Sequence, residues 1–502
     1  MTFHFGPFTL DAAAYRITRE GTDIELSPKL IDLLLYLVRR PSTLITKEEL
    51  FEAIWPDVTV TENALTRAVS EVRQALGDDS AAPTYIQTVA RRGYRFIAPV
   101  TTEETGAAAA VRPLGVPAAQ SPRRETPSLE AFRQLAEGRL HLESLDAPSV
   151  PAAIAHFERA IALDPHYALA HVGLASARFW AYELSRERNV PDSALLATAI
   201  GDARRAVELD PHLAEAHATL SFMLVSAGRL PEAQREAARA IELEPGYWGH
   251  YFRLGHASWG EARLQALHSA LELYPDFAFA HFEIAMVATA RGRLEQAEAV
   301  LREGIVVLER QVGRRERFPA SGLHWMLGLV RLARGDAGEA EREFDAEIRT
   351  AGDRLYAREF TLASLNALGA AAIRTGAFDR AIGCFTAALA CDGDHARTCV
   401  GLSLALTGAG QEAAAAAAAA RARSVVEALA RGPRIQEATL LQAVLLAAAG
   451  HPDGALQALV RLVTGAPPGF TGWTIPIEPL LEPVRQLPGY AALAASLAAR
   501  AS

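Results

Sequence analysis

The chain has 502 residues and half of them are apolar, which is enough apolar material for two or more packed domains. Its formal net charge is −9, which excludes a protein that coats nucleic acid through an overall positive charge. The three cysteines, Cys384, Cys391 and Cys399, are odd in number and widely spaced, so they predict buried free thiols and neither a disulfide framework nor a metal site. No stretch of about 18 apolar residues and no signal peptide is found, and we expect a soluble, cytoplasmic protein that binds no membrane.

The first residues carry short alternating apolar runs, which predict a four-stranded antiparallel sheet over residues 3–5, 8–10, 15–17 and 24–26. A first helix is predicted from Pro28, where proline suits the first helical position, and it ends before Pro41. The residues Thr46 to Glu49 form a capping box, which predicts a second, shorter helix that ends at Trp55.

A third helix is predicted from about Glu62 to Leu76, and its two sides differ. Its apolar residues fall on one side at helical spacing: Leu65, Ala68, Val69, Val72 and Leu76. The opposite stripe consists of Asn63, Arg67, Ser70 and Gln74, with Thr66 and Arg73 beside it. Arginine can bond guanine and asparagine or glutamine can bond adenine, so this side has the residue types that read base edges.

Two strands, residues 85–89 and 94–97, follow this helix, and Arg91, Arg92 and Gly93 form the tip of the hairpin between them. These residues by themselves leave two interpretations open. Amphipathic helices usually have a polar outer side, and residues 1–100 hold 11 basic and 13 acidic residues, which favours an ordinary solvated surface. The residue types and the basic hairpin favour contact with DNA.

The order of these elements resembles the OmpR-type winged helix-turn-helix family of transcription regulators. The residues that carry the resemblance span nearly all of residues 3–98, and they are Leu26–Lys29, Leu44–Leu50, Trp55–Pro56, Asn63–Asp78 and Ile86–Phe96.

The resemblance implies double-stranded DNA as a partner, with the third helix in the major groove and the hairpin, or wing, on the backbone or minor groove. The implied groove contacts are Asn63, Thr66, Arg67, Ser70, Arg73 and Gln74, and the implied wing contacts are Arg91, Arg92 and Arg95. Tyr94 and Phe96 are expected to pack the wing. The loop Trp55–Val60 corresponds to the one that faces RNA polymerase in such activators, although it is short here.

The predicted layout is a winged-helix domain at 1–100, a flexible linker at 101–127 rich in proline, alanine, threonine and glycine, and a helical domain at 128–495. No receiver domain is expected before the winged helix and no membrane helix after it. The layout is therefore more similar to soluble HilA-type regulators than to the membrane-anchored CadC-like branch.

A repeating unit is visible from residue 150. Four copies end in an apolar helix and a proline, with prolines 46, 34 and 30 residues apart: Pro165, Pro211, Pro245 and Pro275. Glycine turns recur between the helices, at Gly228, Gly292, Gly335, Gly376 and Gly450. A period near 34 resembles the tetratricopeptide repeat. We expect a mostly α protein, in which a small α+β winged helix precedes a solenoid of about seven or eight helix pairs.

The resemblance implies that the groove of this solenoid binds a peptide, a protein or an effector, and a homo-oligomer is a further option. Three histidines each lie six residues after a repeat proline: His171, His217 and His281. They are interpreted as packing residues in preference to metal ligands, and no cofactor or metal is expected. Aromatic residues of the repeats are interpreted as packing as well: Phe179, Trp180, Trp248, Tyr251, Trp259 and Trp325.

No phosphate-binding loop, zinc-protease motif or nucleophile elbow is found, so the sequence predicts a protein that is not an enzyme. The favoured function is a sequence-specific DNA-binding transcriptional regulator whose repeats bind a partner or effector. The alternative is a scaffold or adaptor protein whose winged helix serves protein interaction, and the acidic balance of residues 1–100 favours it. The intact arginines of the helix and wing count against it.

Overall fold

The chain divides into two compact units, Met1–Ala118 and Ala119–Ser502. The computed structural model describes residues 2–11, 16–19, 22–24, 26, 28–41, 43–47, 49–50, 62–78, 83–89, 92–103, 126–143, 147–187, 191–310, 320–350, 356–431, 434–467 and 469–502.

The described part of the first unit consists of short strands and two helices. The strands are β1 Thr2–Phe5, β2 Phe8–Asp11, β3 Arg16–Arg19, β4 Thr22–Ile24, β5 Leu44–Thr46, β6 Ile86–Val89, β7 Gly93–Phe96 and β8 Thr101–Glu103. The helices are α1 Pro28–Val38 and α2 Glu62–Leu76. Most of the predicted second helix, and all of the Trp55–Val60 loop, lie outside the described residues. At the start of that helix the backbone N–H of Glu49 donates to Oγ1 of Thr46 over 3.1 Å, as a capping box requires.

The strands form two antiparallel sheets in the order β4-β3-β2-β1-β8 and β5-β7-β6. The first sheet has a fifth strand that the sequence analysis missed. Thr2 pairs with Glu103 and His4 with Thr101, so residues 101–103 belong to the sheet and not to the linker. The remainder of the predicted linker, residues 104–125, lies outside the described residues.

Both sheets and both helices bury their apolar sides in one core. Alternate strand residues such as Phe5, Leu10 and Phe96 are almost fully buried, as are Leu33 and Leu34 of α1. The rings of Phe5 and Phe96 meet edge to face with centroids 5.1 Å apart. The first unit therefore has its own hydrophobic core, which fixes the position of α2.

The second unit is helical. Its helices are α3 Leu129–Glu143, α4 Ser149–Leu163, α5 Ala168–Glu187, α6 Ser193–Leu209, α7 Ala214–Ser226, α8 Leu230–Leu243, α9 Trp248–Ala257, α10 Gly260–Leu273, α11 Ala278–Ala290, α12 Leu294–Arg310, α13 Leu323–Ala333, α14 Ala337–Thr350, α15 Ala357–Arg374, α16 Phe378–Cys391, α17 Ala396–Gly408, α18 Glu412–Ala430, α19 Ile435–Ala448, α20 Pro452–Gly465, α21 Glu482–Arg485 and α22 Tyr490–Arg500.

Helices α3 to α20 form nine consecutive pairs in the described part of the unit, against the seven or eight predicted. Each pair packs against the next, which produces a solenoid with the architecture of tetratricopeptide repeats. The irregular proline spacings have simple causes: α5 is long, with 20 residues, and α9 is short, with 10. The arginine-rich segment at 311–318 lies outside the described residues.

The glycines predicted at the turns adopt left-handed backbone, with φ from 70° to 93°. A second set of glycines provides space for aromatic rings. Phe157 of α4 lies between Gly138 and Gly173, where an added Cβ would come within 2.6 and 2.3 Å of its ring. The same packing recurs where Phe385 meets Gly369 and Gly401.

The repeated histidines pack between helices, and two of them bond the carbonyl of their repeat proline. Nε2 of His171 donates to the carbonyl oxygen of Pro165 over 3.3 Å, and Nε2 of His217 donates to that of Pro211 over 3.1 Å. His281 is buried as well. Among the described residues, no three histidine, cysteine or acidic side chains come together as a metal site would require.

First helices of successive pairs contact one another along much of the stack, as α3 does with α5 and α5 with α7. We call the side that they form the inner face. Its second half is covered by residues 469–502, the C-terminal segment, most of which was predicted to belong to the repeats. Ile477 is buried in one cluster with residues of α11 and α13, and Nε of Arg291 donates to the carbonyl oxygen of Ala501 over 2.9 Å.

None of the described helices combines the length and the apolar character needed to cross a membrane.

Candidate nucleic-acid interface

Helix α2 is held to the core of the first unit by its apolar side. Leu65, Val69 and Val72 are at most 1% exposed, and Ala68 and Leu76 are buried beside them, as predicted. Gly77 ends the helix with φ of 65°, and the N–H of Asp78 donates to the carbonyl oxygen of Arg73 over 2.9 Å. By helical register, residues 63, 67, 70 and 74 lie on the side away from the core, and Ser70 is exposed there.

Four of the predicted groove residues are described by their helical backbone alone, which gives the side of α2 on which each lies: Asn63, Thr66, Arg67 and Gln74.

Arg73 does not lie on the exposed side of α2 as predicted, because the residue is buried, with 8% of its surface exposed. Its Nη2 donates to the carbonyl oxygen of Ile86 over 2.6 Å and to Oγ1 of Thr88 over 2.8 Å, both on β6. Its Nε lies 3.8 Å from Oδ2 of Asp78. The guanidinium of Arg73 is thus used for bonds within the unit. The prediction that Arg73 contacts the DNA groove is therefore corrected: this residue connects α2 to strand β6 of the wing.

Asp78 completes this connection, and the sequence analysis did not single it out. Its carboxylate accepts the backbone N–H groups of Thr84, Tyr85 and Ile86 over 2.6, 3.1 and 2.9 Å. A carboxylate that accepts three N–H groups and faces an arginine is strongly held. The signal that could have found it is its place directly after the helix-ending Gly77, where a short acidic side chain can cap the following loop.

The wing is the hairpin of β6 and β7. The described residue at its turn is Arg92, which is exposed; Arg91 lies outside the described residues. Arg95 is half-buried in β7, between Tyr94 and Phe96, whose rings are buried as predicted. Arg95 pairs with Leu44 on one side and Gln87 on the other, so β7 is the central strand of its sheet.

Gly93 begins β7 at the point where β5 passes closest. Its φ is 156°, and an added Cβ would lie 1.9 Å from the carbonyl oxygen of Ile45. The N–H of Lys47 donates to the carbonyl oxygen of Arg92 over 3.2 Å, which continues the same pairing. Glycine is therefore required for the wing to attach to β5.

Comparison with known proteins gives relatives for the first unit. Residues 21–96 match the family described as transcriptional regulatory protein, C terminal. The transcriptional activator CadC of Escherichia coli (strain K12) is 34% identical over 125 residues, which is 23% of this chain and 24% of CadC. The transcriptional regulatory protein AfsQ1 of Streptomyces coelicolor is 33% identical over 96 residues, which is 19% of this chain and 43% of AfsQ1.

The solved DNA-binding domain of Escherichia coli CadC is 32% identical and covers 20% of this chain and 94% of that domain, with a TM-score of 0.19. The chain thus spans less than half the length of these two curated relatives. Residues 21–96 carry an OmpR/PhoB-type domain of the transcriptional regulatory protein, C terminal, family, and a solenoid of helix pairs follows it.

Proposed function

We propose that this protein is a sequence-specific DNA-binding transcriptional regulator. One observation carries the proposal: α2 buries its apolar side against its own unit. By helical register a row of hydrogen-bonding residue types lies on its opposite side, and the neighbouring hairpin has an exposed arginine, Arg92. An α-helix fits the major groove, and an arginine at the adjacent hairpin suits a phosphate.

In the proposed complex, Asn63, Thr66, Arg67, Ser70 and Gln74 meet base edges or nearby phosphates, and Arg91 and Arg92 meet the backbone or minor groove. Arg73 is left out because its guanidinium bonds β6. Arg95 is kept as a contact through its exposed part.

The repeat unit is proposed to receive a partner or an effector, since stacked helix pairs present an extended inner face. RNA polymerase, through the loop 55–60, and a second copy of the chain are further proposed partners. The cytoplasm, where the chromosome lies, is the proposed location. CadC and AfsQ1 are named as transcriptional regulators, and this supports the DNA-binding part of the proposal. Their similarity covers only 23% and 19% of this chain, so it gives no support for the role of the repeats.

The test is selection from random duplexes with the full-length protein at low salt. We expect enrichment of one consensus within a few rounds, and mobility shifts that a scrambled duplex does not reproduce. Failure to enrich any consensus would overturn the proposal and would favour the scaffold alternative, for which the acidic balance of residues 1–100 is the supporting observation.

A further inference from the structure

Helix α3, the first helix of the second unit among the described residues, packs on one side only. Ala131 and Leu135 of this helix are buried in one cluster with Phe157 of α4. On the opposite side of α3, three large apolar side chains are 67%, 56% and 54% exposed: Leu129, Phe132 and Leu140. Together with the exposed Ala136 they recur at intervals of three or four residues, so they lie along one side of the helix. We call these four residues the α3 stripe.

In later first helices, the side turned away from the helix's own partner is covered by the helix that precedes it. Ala170, Leu174 and Ala177 of α5 are buried in one cluster with Phe157 of α4. In the same way, Met223 of α7 is buried in one cluster with residues of α6. The α3 stripe therefore lies where the stack would receive another helix, and the described helices leave it exposed. Contiguous exposed apolar residues of this kind mark sites of protein association.

The charges beside the α3 stripe have opposite signs and are suited to a second copy of the same helix. Arg133 and Glu137 are both exposed and lie one turn apart on the stripe's flank. Arg133 lies 3.7 Å from Glu130 of its own helix, but this contact joins two exposed groups and contributes little. When two copies of α3 pair antiparallel about a two-fold axis midway between residues 133 and 137, Arg133 of each copy meets Glu137 of the other.

The same two-fold axis also matches the apolar residues. It brings Leu129 and Phe132 of one copy beside Leu140 of the other, at both ends of the contact. Ala136 lies next to the axis, and its small side chain lets the two helices approach closely. A parallel pairing would instead place Arg133 against Arg133 and Glu137 against Glu137. The pattern of charge and size therefore favours antiparallel pairing of two copies.

We propose that the protein forms a homodimer in which the α3 stripes of two copies pair antiparallel, flanked by two ion pairs between Arg133 and Glu137. A second copy of the chain is one of the partners named in the proposed function, so this inference rests on that function and gives the surface. The dimer covers the exposed apolar end of the stack, as a capping repeat would. It also holds two DNA-binding units in one assembly.

The test is sedimentation velocity of the full-length protein without DNA. A contact between two single helices has a small area, so we expect a monomer–dimer equilibrium with a dissociation constant of about 1–100 µM. Phe132→Asp should keep the protein monomeric over this range, because it places a charge in the apolar contact. Ile435→Asp is the matched control, since Ile435 is an apolar residue of α19 that is 52% exposed, and it should leave the equilibrium unchanged. Circular dichroism checks that both variants remain helical.

Charge reversals test the antiparallel pairing. Arg133→Glu brings carboxylates of the two copies together, and Glu137→Arg does the same with guanidinium groups, so each should weaken the dimer at least about tenfold at low salt. The two substitutions in one chain restore opposite charges across the axis, and the dissociation constant should return close to that of the unchanged protein. A local effect on the stability of α3 would not be rescued in this way.

A protein that stays monomeric up to about 100 µM would overturn the inference. A dimer that Phe132→Asp leaves unchanged, or one that the combined charge reversals do not restore, would overturn it as well. Hydrogen exchange identifies the other occupant of the stripe: a monomer whose first unit exchanges faster in Phe132→Asp would show that the stripe binds its own chain, against the inference.

DNA binding is measured separately on the same preparation, with the duplex enriched by the selection. A dimer that enriches no consensus counts against the regulator and not against the α3 contact. A monomer that binds its consensus counts against the α3 contact alone.

Discussion

At the scale of single residues, two arginines of the same helix have opposite surroundings. Arg73 bonds β6 within the unit, while Arg67, six residues earlier, lies by register on the side away from the core. Helical spacing alone predicts both beside the same groove, because it gives an angle around the helix and does not show that a following strand approaches one flank. Long-range bonds of this kind cannot be read from a local pattern.

Arg67→Ala should lower the affinity for the selected duplex by about 1–3 kcal/mol and leave the affinity for a scrambled duplex nearly unchanged, because in the proposed complex it removes a base-edge contact. Arg92→Ala should weaken binding to both duplexes alike and reduce the salt dependence by about one unit, as loss of a phosphate contact does. Fluorescence anisotropy over a salt series measures both, with Arg431→Ala, at an arginine of the repeat unit that is 79% exposed, as the control. An equal effect of Arg67→Ala on both duplexes would contradict its assignment.

His395 makes the stability of the repeats depend on pH. Burial lowers the pKa of this histidine from 6.5 to about 4, and its Nδ1 accepts the N–H of Thr398 at the start of α17, which only the neutral ring can do. The unfolded chain therefore binds a proton that the folded chain does not, and stability falls as pH drops from 6.5 towards 4.

His395→Asn keeps an N-cap acceptor but cannot titrate. Between pH 6.5 and 4 we expect the unfolding free energy of the variant to fall by about 1–3 kcal/mol less than that of the unchanged protein, as measured by urea unfolding. The other histidines titrate equally in both proteins and cancel in the comparison. Parallel pH profiles for the two proteins would refute this role.

At the scale of elements, the wing depends on the close approach of β5 and β7. Gly93→Ala should destabilise the first unit by about 3 kcal/mol, because the new Cβ would overlap the carbonyl of Ile45. Gly77→Ala is the matched control, since Gly77 also has positive φ but has no atom within 4 Å of the added Cβ. It should cost only about 1 kcal/mol. Hydrogen exchange at residues 93–96 distinguishes the two, and similar protection in both would argue against the clash.

Most elements could be predicted because their signals are local. The five turn glycines, the buried side of α2 and the bounds of α2 follow from spacing and caps within a few residues. Strand β8 could not be predicted, because Thr101–Glu103 is polar and becomes a strand only through pairing with β1. The number of helix pairs was predicted one or two too low. Alanine-rich helices such as α18 show no clear period in the sequence, so their pairs are hard to count.

At the scale of the whole molecule, the C-terminal segment completes the repeat unit. Trp473 packs against Phe282 and Trp325 with ring centroids 6.3 and 6.4 Å apart, and Leu481 and Val484 are fully buried. Solenoid ends need a cap that covers apolar surface, and here the cap returns over the inner face.

Truncation after Ala466 should therefore expose apolar surface of α11 and α13. We expect the melting temperature of the repeat unit to fall by about 5 °C or more and the binding of an apolar fluorescent dye to rise. Deletion of Ser502 alone serves as the control, since its side chain is exposed. Calorimetry and dye fluorescence measure these changes, and a truncated protein that melts and binds dye like the full chain would show that the segment is dispensable.

The bonds of Arg73 and Asp78 have a consequence for how the first unit would meet a duplex. Because one guanidinium and one carboxylate join the end of α2 to the start of the hairpin, the two elements keep a constant offset. If α2 and the hairpin both contact DNA as proposed, a duplex whose groove width differs from that offset cannot satisfy both at once. The unit would then discriminate among DNA sequences by their shape, at base pairs that no side chain touches.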